Sequence, residues 1–155
     1  MTWARGLLLL GVALFAVASG LGGYRWLVTP SLGLSEDSGV IAAGQRVYAA
    51  SCANCHGKTL EGQPDWQSPL PSGRMPAPPH DDTGHTWHHP SGVLFEITKH
   101  GLVPPNAPAD YQSDMPAFGA MLSDEEIWAV LSFIASSWGE QAKAWQRDID
   151  AQSRR

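Results

Sequence analysis

The chain has 155 residues, 43% of them hydrophobic and 16% charged, with 16 glycines, 12 prolines and two cysteines. This suits one modest domain and excludes collagenous, coiled-coil and multi-disulfide classes. The formal charge is −5, but residues 1–28 hold Arg5 and Arg25 and no acid, so the remainder carries 8 basic and 15 acidic side chains, or −7. No nucleic-acid partner is expected for a domain this acidic.

Gly6 to Gly23 runs for 18 residues without a charge, between Arg5 and the cluster Tyr24, Arg25 and Trp26. A membrane span needs about 20 apolar residues, a length the run reaches with Tyr24, and Trp3 and Trp26 stand where interfacial aromatics belong. The alternative is a signal peptide cut at Ala16-Val17-Ala18. Cleavage there would leave Leu21, Trp26, Leu27 and Val28 as an apolar stub, which favours the anchor. Residues 1–28 are therefore expected to be a membrane anchor or signal peptide, followed by a polar linker over 29–37 with Pro30, Gly33 and Ser35. Arg5 and Arg25 balance, so charge alone does not orient the anchor.

Val40, Gly44, Val47 and Tyr48 recur at spacings of three and four, which predicts a helix capped by Ser38 or Gly39 and running into Cys52-Ala53-Asn54-Cys55-His56. From Gly57 to Pro90 the periodicity vanishes, and ten of the twelve prolines lie between Pro64 and Pro108. So long a loop in a compact domain needs a bound cofactor to supply apolar surface. Ser91–His100 reads as a short helix with Val93, Leu94 and Ile97 turned inward and Gly101 at its C-terminal cap. Ser123-Asp124-Glu125-Glu126 is a capping box opening a helix whose inner stripe is Ile127, Leu131, Ile134 and Trp138, with Val130 and Phe133 beside it and Gly139 ending it. Residues 140–155 can continue helically through Trp145 and Ile149, but their polarity makes an exposed tail the expectation. With no strand pattern and no repeat, the fold class is all-α.

The two cysteines stand three apart and are followed at once by a histidine. Covalent haem attachment needs two thiols to meet the two vinyl groups and an imidazole to reach the iron, which Cys52, Cys55 and His56 supply within one turn. A thioredoxin-like redox pair would need a strand–helix context, and a zinc site would need a second ligand pair; the sequence offers neither. The cofactor expected is therefore one haem c. The sixth iron ligand is expected at Met115, in Asp114-Met115-Pro116-Ala117-Phe118, where a proline-stiffened loop precedes the last helix. Met75, also followed by proline, is the competitor, and Met121 reads as a core filler.

Over residues 38–138 the chain resembles a class I cytochrome c of the single-haem, membrane-anchored, bacterial periplasmic kind. The likeness rests on Cys52-Ala53-Asn54-Cys55-His56-Gly57, on Met115-Pro116-Ala117-Phe118 and on Leu122-Ser123-Asp124-Glu125-Glu126-Ile127. It implies a cytochrome c fold over 38–139 in which the N-terminal helix crosses the C-terminal one, with Gly44 and Tyr48 meeting Leu131 and Ile134. It also implies His56 and Met115 as axial ligands, and a haem domain on the periplasmic face of the cytoplasmic membrane. With both axial positions filled, the expected function is outer-sphere electron transfer, without catalysis by the domain itself. Redox partners would be a dehydrogenase, a quinol-oxidising complex or a terminal oxidase. The chain would be a tethered carrier or, alternatively, the haem subunit of a larger respiratory oxidoreductase; a haem sensor or peroxidase would need a labile or absent sixth ligand.

Two features fall outside that pattern. His80-Asp81-Asp82-Thr83-Gly84-His85-Thr86-Trp87-His88-His89 packs four histidines and two aspartates into ten residues. It suggests either a copper or zinc site, or a haem-pocket wall in which Trp87 and one or two histidines meet propionates and the rest are solvated. Contact of His85 or His88 with a propionate would make the haem potential pH-dependent near neutrality. Only Lys58 and Lys99 stand near the expected haem edge, so docking on partners is expected through Pro104-Pro105 and Ala117-Phe118, or toward a basic partner.

Overall fold

The computed structural model describes residues 33–153. The anchor or signal segment, and Pro30 of the linker, lie outside the described residues. Five α-helices and no strand occur among those described: α1 (Ser38–Ser51), α2 (Ala53–His56), α3 (Ser91–His100), α4 (Asp124–Ser136) and α5 (Glu140–Ser153), with one 3-10 turn at Thr86–His88. None of these helices is long and apolar enough to cross a membrane.

α1 is capped at Asp37, one residue before the expected Ser38 or Gly39. Asp37, with extended backbone, accepts from the amides of Gly39 at 2.9 Å and Val40 at 3.0 Å, and its carboxylate also meets the positive end of the helix dipole. Gly44 and Tyr48 form the buried face. α4 is opened by the expected capping box: Ser123 Oγ accepts from the Glu126 amide at 3.2 Å, and Glu126 Oε2 accepts from the Ser123 amide at 2.9 Å.

The two helices make the main seam of the fold. Tyr48 belongs to one core with Ile127, Val130, Leu131, Ile134 and Trp138, and its ring stands 5.3 Å from that of Phe133. Each such aliphatic side chain, fully buried, contributes about 1.5–3 kcal/mol. The nearest neighbours of Gly44 across the seam are the Ala129 carbonyl and Phe133 Cβ. A side chain there would run into Ala129 backbone, so glycine is what lets the two helices approach this closely. At the seam's edge Ser132 is buried; its hydroxyl donates to the Trp128 carbonyl at 2.7 Å and accepts from the Ser35 amide at 2.9 Å.

Four expectations are corrected. α4 ends at Ser136, with Ser137 as its cap, rather than at Gly139, whose amide instead donates to the Asp82 carboxylate at 3.0 Å. Met121 is 62% exposed and fills no core, while Phe118, expected on a docking surface, is buried. The reason is backbone pairing: the Phe118 and Gly119 amides bond the Thr98 and Lys99 carbonyls at the end of α3, which turns the Phe118 ring inward. Finally, the segment expected as an exposed tail is α5, docked through buried Ala142 and Gln146 against the 3-10 turn and α3, with Trp145 left half-exposed. Its Asp150 accepts from the amide and hydroxyl of Ser91 at 2.6 and 2.7 Å, providing the N-terminal cap that Pro90 cannot.

Candidate haem-binding site

Cys52 is the hinge of the site. It closes α1, its amide bonding the Tyr48 carbonyl at 2.9 Å, and its own carbonyl accepts from the amides of Cys55 at 3.1 Å and His56 at 3.0 Å. Both cysteines are free thiols, Cys52 partly buried and Cys55 exposed. Burial, with the neighbouring Cys55 adding to it, pushes the Cys52 thiol up to about 11, so it stays protonated at neutral pH, the form that adds across a vinyl bond.

His56 is buried, and its Nδ1 stands 2.9 Å from the Pro78 carbonyl. A carbonyl only accepts, so Nδ1 carries the proton and Nε2 keeps its lone pair. Burial lowers the ring's pKa, and the Pro78 bond opposes that shift without reversing it. The result is a neutral imidazole, oriented by one backbone bond, with its other nitrogen available to a metal.

Three contacts hold this arrangement. The buried Tyr48 hydroxyl donates to the carbonyls of Gly57 at 2.9 Å and His56 at 3.3 Å, and burial raises its pKa well above the usual phenol range, so it remains a donor. The chain turns at Gly57 with φ +82°, where a side chain would collide with the Glu61 carboxylate. The following loop is stitched to the Pro78 segment by Gln63 N to Ala77 O at 2.9 Å, by Ala77 N to Gln63 Oε1 at 2.8 Å and by His80 N to Leu60 O at 2.8 Å. Of these residues, His80 was one of four histidines expected as candidates for the pocket wall, whereas Pro78 was not recognisable in the sequence as part of the site; the Pro78-Pro79 pair marks a rigid segment, but nothing local aims its carbonyl at His56.

Met115 is partly buried, its amide donating to Ser113 Oγ at 3.1 Å. Its loop is tied to the segment of its competitor: Met75 pairs with Ser113 in an isolated parallel bridge, the Met75 amide bonds the Gln112 carbonyl at 2.9 Å, and Arg74 bonds the Ser113 carbonyl at 2.6 Å and pairs with Asp114 at 2.9 Å. Both candidate thioethers thus belong to one pair of adjoining loops, which the sequence did not reveal.

The histidine-rich segment divides. His80 stacks on His56. His85 stacks on Trp66 at 5.1 Å and meets His89 edge-on at 5.3 Å, whereas His88 stacks on Trp87 at 3.7 Å and lies 5.7 Å from Trp145. No three histidine, cysteine or acidic side chains among the described residues gather as a metal site. Each ring is taken up by an aromatic neighbour instead. The indole nitrogen of Trp87 is buried without a protein partner. Of the expected docking residues, Pro104, Pro105 and Ala117 are exposed.

The residues fit a haem group: two free thiols one turn apart, and an imidazole held in the tautomer a metal needs. An all-helical domain built around such a turn defines a c-type cytochrome. The comparisons place it further: the family described as cytochrome c oxidase, cbb3-type, subunit III, matches residues 39–134, and the chain belongs to this family. It is 31% identical over 120 residues to the gluconate 2-dehydrogenase cytochrome c subunit of Pantoea cypripedii, covering 76% of this chain and 24% of that one. It is 30% identical over 113 residues to the cytochrome c subunit of the quinone alcohol dehydrogenase of Gluconobacter oxydans (strain 621H), covering 73% and 22%. The chain spans about a quarter of the length of these curated relatives. No solved structure matches it.

Proposed function

We propose that the chain is a one-haem electron-transfer protein, tethered by residues 1–28 to the cytoplasmic membrane with its haem domain in the periplasm. The observation that carries this reading is the His56 imidazole, made neutral by burial and fixed by the Pro78 carbonyl, directly after the two thiols. Cys52 and Cys55 would hold the single haem as thioethers, and His56 Nε2 would face the iron. Bound haem supplies a one-electron ferric/ferrous couple. Met115 would give the second axial donor, and its soft thioether favours the ferrous state, raising the potential relative to two nitrogen ligands. His56 and Met115 together would leave substrate no access to the metal, which supports electron transfer over catalysis at the haem.

The electron donor or acceptor is a second redox protein. Both relatives are named as cytochrome c subunits of dehydrogenases, which favours a second arrangement in which this chain is the haem subunit of a dehydrogenase complex rather than a separate carrier. Purification in mild detergent separates the two: a dehydrogenase that co-purifies in fixed proportion supports the subunit, and the haem protein alone supports the carrier.

The ligand assignment is tested on reduced holoprotein. Wild type is expected to exclude carbon monoxide and, when oxidised, to show the far-red iron–thioether charge-transfer band. Met115→Ala is expected to bind carbon monoxide and lose the band, with Met75→Ala unchanged. Carbon monoxide binding by wild type would refute the filled sixth position and support a sensor or peroxidase.

A further inference from the structure

His80 is a partly buried imidazole for which the haem-binding reading gives no role. Its ring centroid is 4.0 Å from that of His56 with the planes 20° apart, a face-to-face stack. Three elements hold it. Its Nδ1 stands 2.9 Å from Thr86 Oγ1, its amide donates to the Leu60 carbonyl at 2.8 Å, and its carbonyl accepts from the Trp138 indole at 2.9 Å. His56, by contrast, has one polar tether on its ring, the Nδ1 bond to Pro78. A single hydrogen bond at one ring corner fixes where that corner lies but leaves the plane free to tilt about the bond. A flat ring packed on its face, itself anchored at its edge, removes the tilt. A branched aliphatic side chain would fill the same space without defining a plane.

We propose that His80 is a positioning residue that sets the plane of the His56 imidazole at the haem iron, with Thr86 as its anchor. The proposal rests on the reading of His56 as an axial ligand. The orientation of an axial imidazole plane decides which iron d orbitals it overlaps, so the ferric low-spin g values report that orientation directly, whereas general loss of packing appears in stability alone.

The experiment is frozen-solution electron paramagnetic resonance of ferric holoprotein, with thermal unfolding alongside. His80→Leu is expected to shift the low-field g value beyond its line width and to broaden it. His80→Phe, which keeps a flat ring against His56, is expected to hold the wild-type position. Thr86→Val, which keeps the ring but releases its edge, is expected to broaden the feature. Wild-type g values in His80→Leu, or equal shifts in the Leu and Phe variants, would overturn the proposal. Should His80→Leu not take up haem, Thr86→Val decides the matter: a broadened feature supports the proposal and an unchanged one overturns it. His56→Ala tests the underlying reading separately, since a retained wild-type low-spin spectrum there would overturn the ligand assignment itself.

Discussion

Gly44→Ala has the most sharply determined sign of any substitution in this fold. In an isolated helix, replacing an interior glycine by alanine gains about 1 kcal/mol. At Gly44 the added methyl would overlap the Ala129 carbonyl oxygen, lie 2.5 Å from that carbonyl carbon and stand 2.9 Å from Phe133 Cβ. The obstacle is mainly backbone of the partner helix, so no side-chain rotation relieves it and α1 and α4 must move apart along the seam that buries Tyr48 and Ile134. Overpacking costs about 1–3 kcal/mol, and a backbone obstacle places this case at about 3 kcal/mol on that same scale. Subtracting the propensity gain leaves a net loss of about 2 kcal/mol, or a fall in Tm of roughly 6–8 °C for a domain of this size. Gly92, in the first turn of α3, has nothing within 4 Å of the same methyl position. Gly92→Ala is therefore expected to raise Tm, by up to about 4 °C. The assay is thermal unfolding of the haem-loaded proteins followed by far-ultraviolet circular dichroism. A Tm for Gly44→Ala at or above wild type, or shifts of the same sign at the two glycines, would refute the close-packed seam.

Two further outcomes follow from the α5 clasp and from the histidine segment. Asp150→Ala removes the carboxylate that caps α3 at Ser91; the expected loss is about 1–2 kcal/mol, with α5 becoming susceptible to limited proteolysis, and a variant as stable and as resistant as wild type would deny the clasp. Partial burial, with mutual charge from neighbouring histidines, lowers the pKa of both His85 and His89 below 6.5. The unfolded chain therefore binds protons first as pH falls through about 6.5, and stability should decline from neutrality toward pH 5. In urea titrations across that range, the His85→Gln/His89→Gln double variant should show a shallower decline, and an equally steep one would place the acid sensitivity elsewhere.

What the sequence revealed was written in local spacing. The thiol–thiol–imidazole turn at Cys52–His56, the capping box at Ser123 and Glu126, and the span Ser91–His100 each depend on residues within a few positions of one another, and each stands where expected. Misplaced features depend on distant backbone. The cap of α1 was expected at Ser38 or Gly39, and the extended backbone of Asp37, which brings its carboxylate onto the Gly39 and Val40 amides, places it one residue earlier. Met121 and Phe118 sit in a stretch with no period, where the pairing of residues 118–119 with 98–99 settles which side chain turns inward. The docking of α5 was hidden because its buried residues are an alanine and a glutamine, and its tie to α3 is a carboxylate, rather than an apolar stripe. The Pro78 carbonyl and the His80 ring reach His56 across more than twenty residues of loop, a proximity that no spacing rule encodes.

Trp138 gives this loop-rich site an unusual thermodynamic standing. Its buried indole bonds the His80 carbonyl while the adjacent Gly139 amide bonds Asp82, so the end of α4 is fastened to the segment that orients His56. Irregular segments ordinarily open first and independently of the core. Here, exposing the His80 backbone means pulling the indole out of the helical core, so the cradle is expected to exchange its amide protons with the slow cooperative unit of α1 and α4. A chain whose role is to move electrons repeatedly without changing shape gains from that linkage, because a stiff ligand cradle keeps the reorganisation accompanying each electron small.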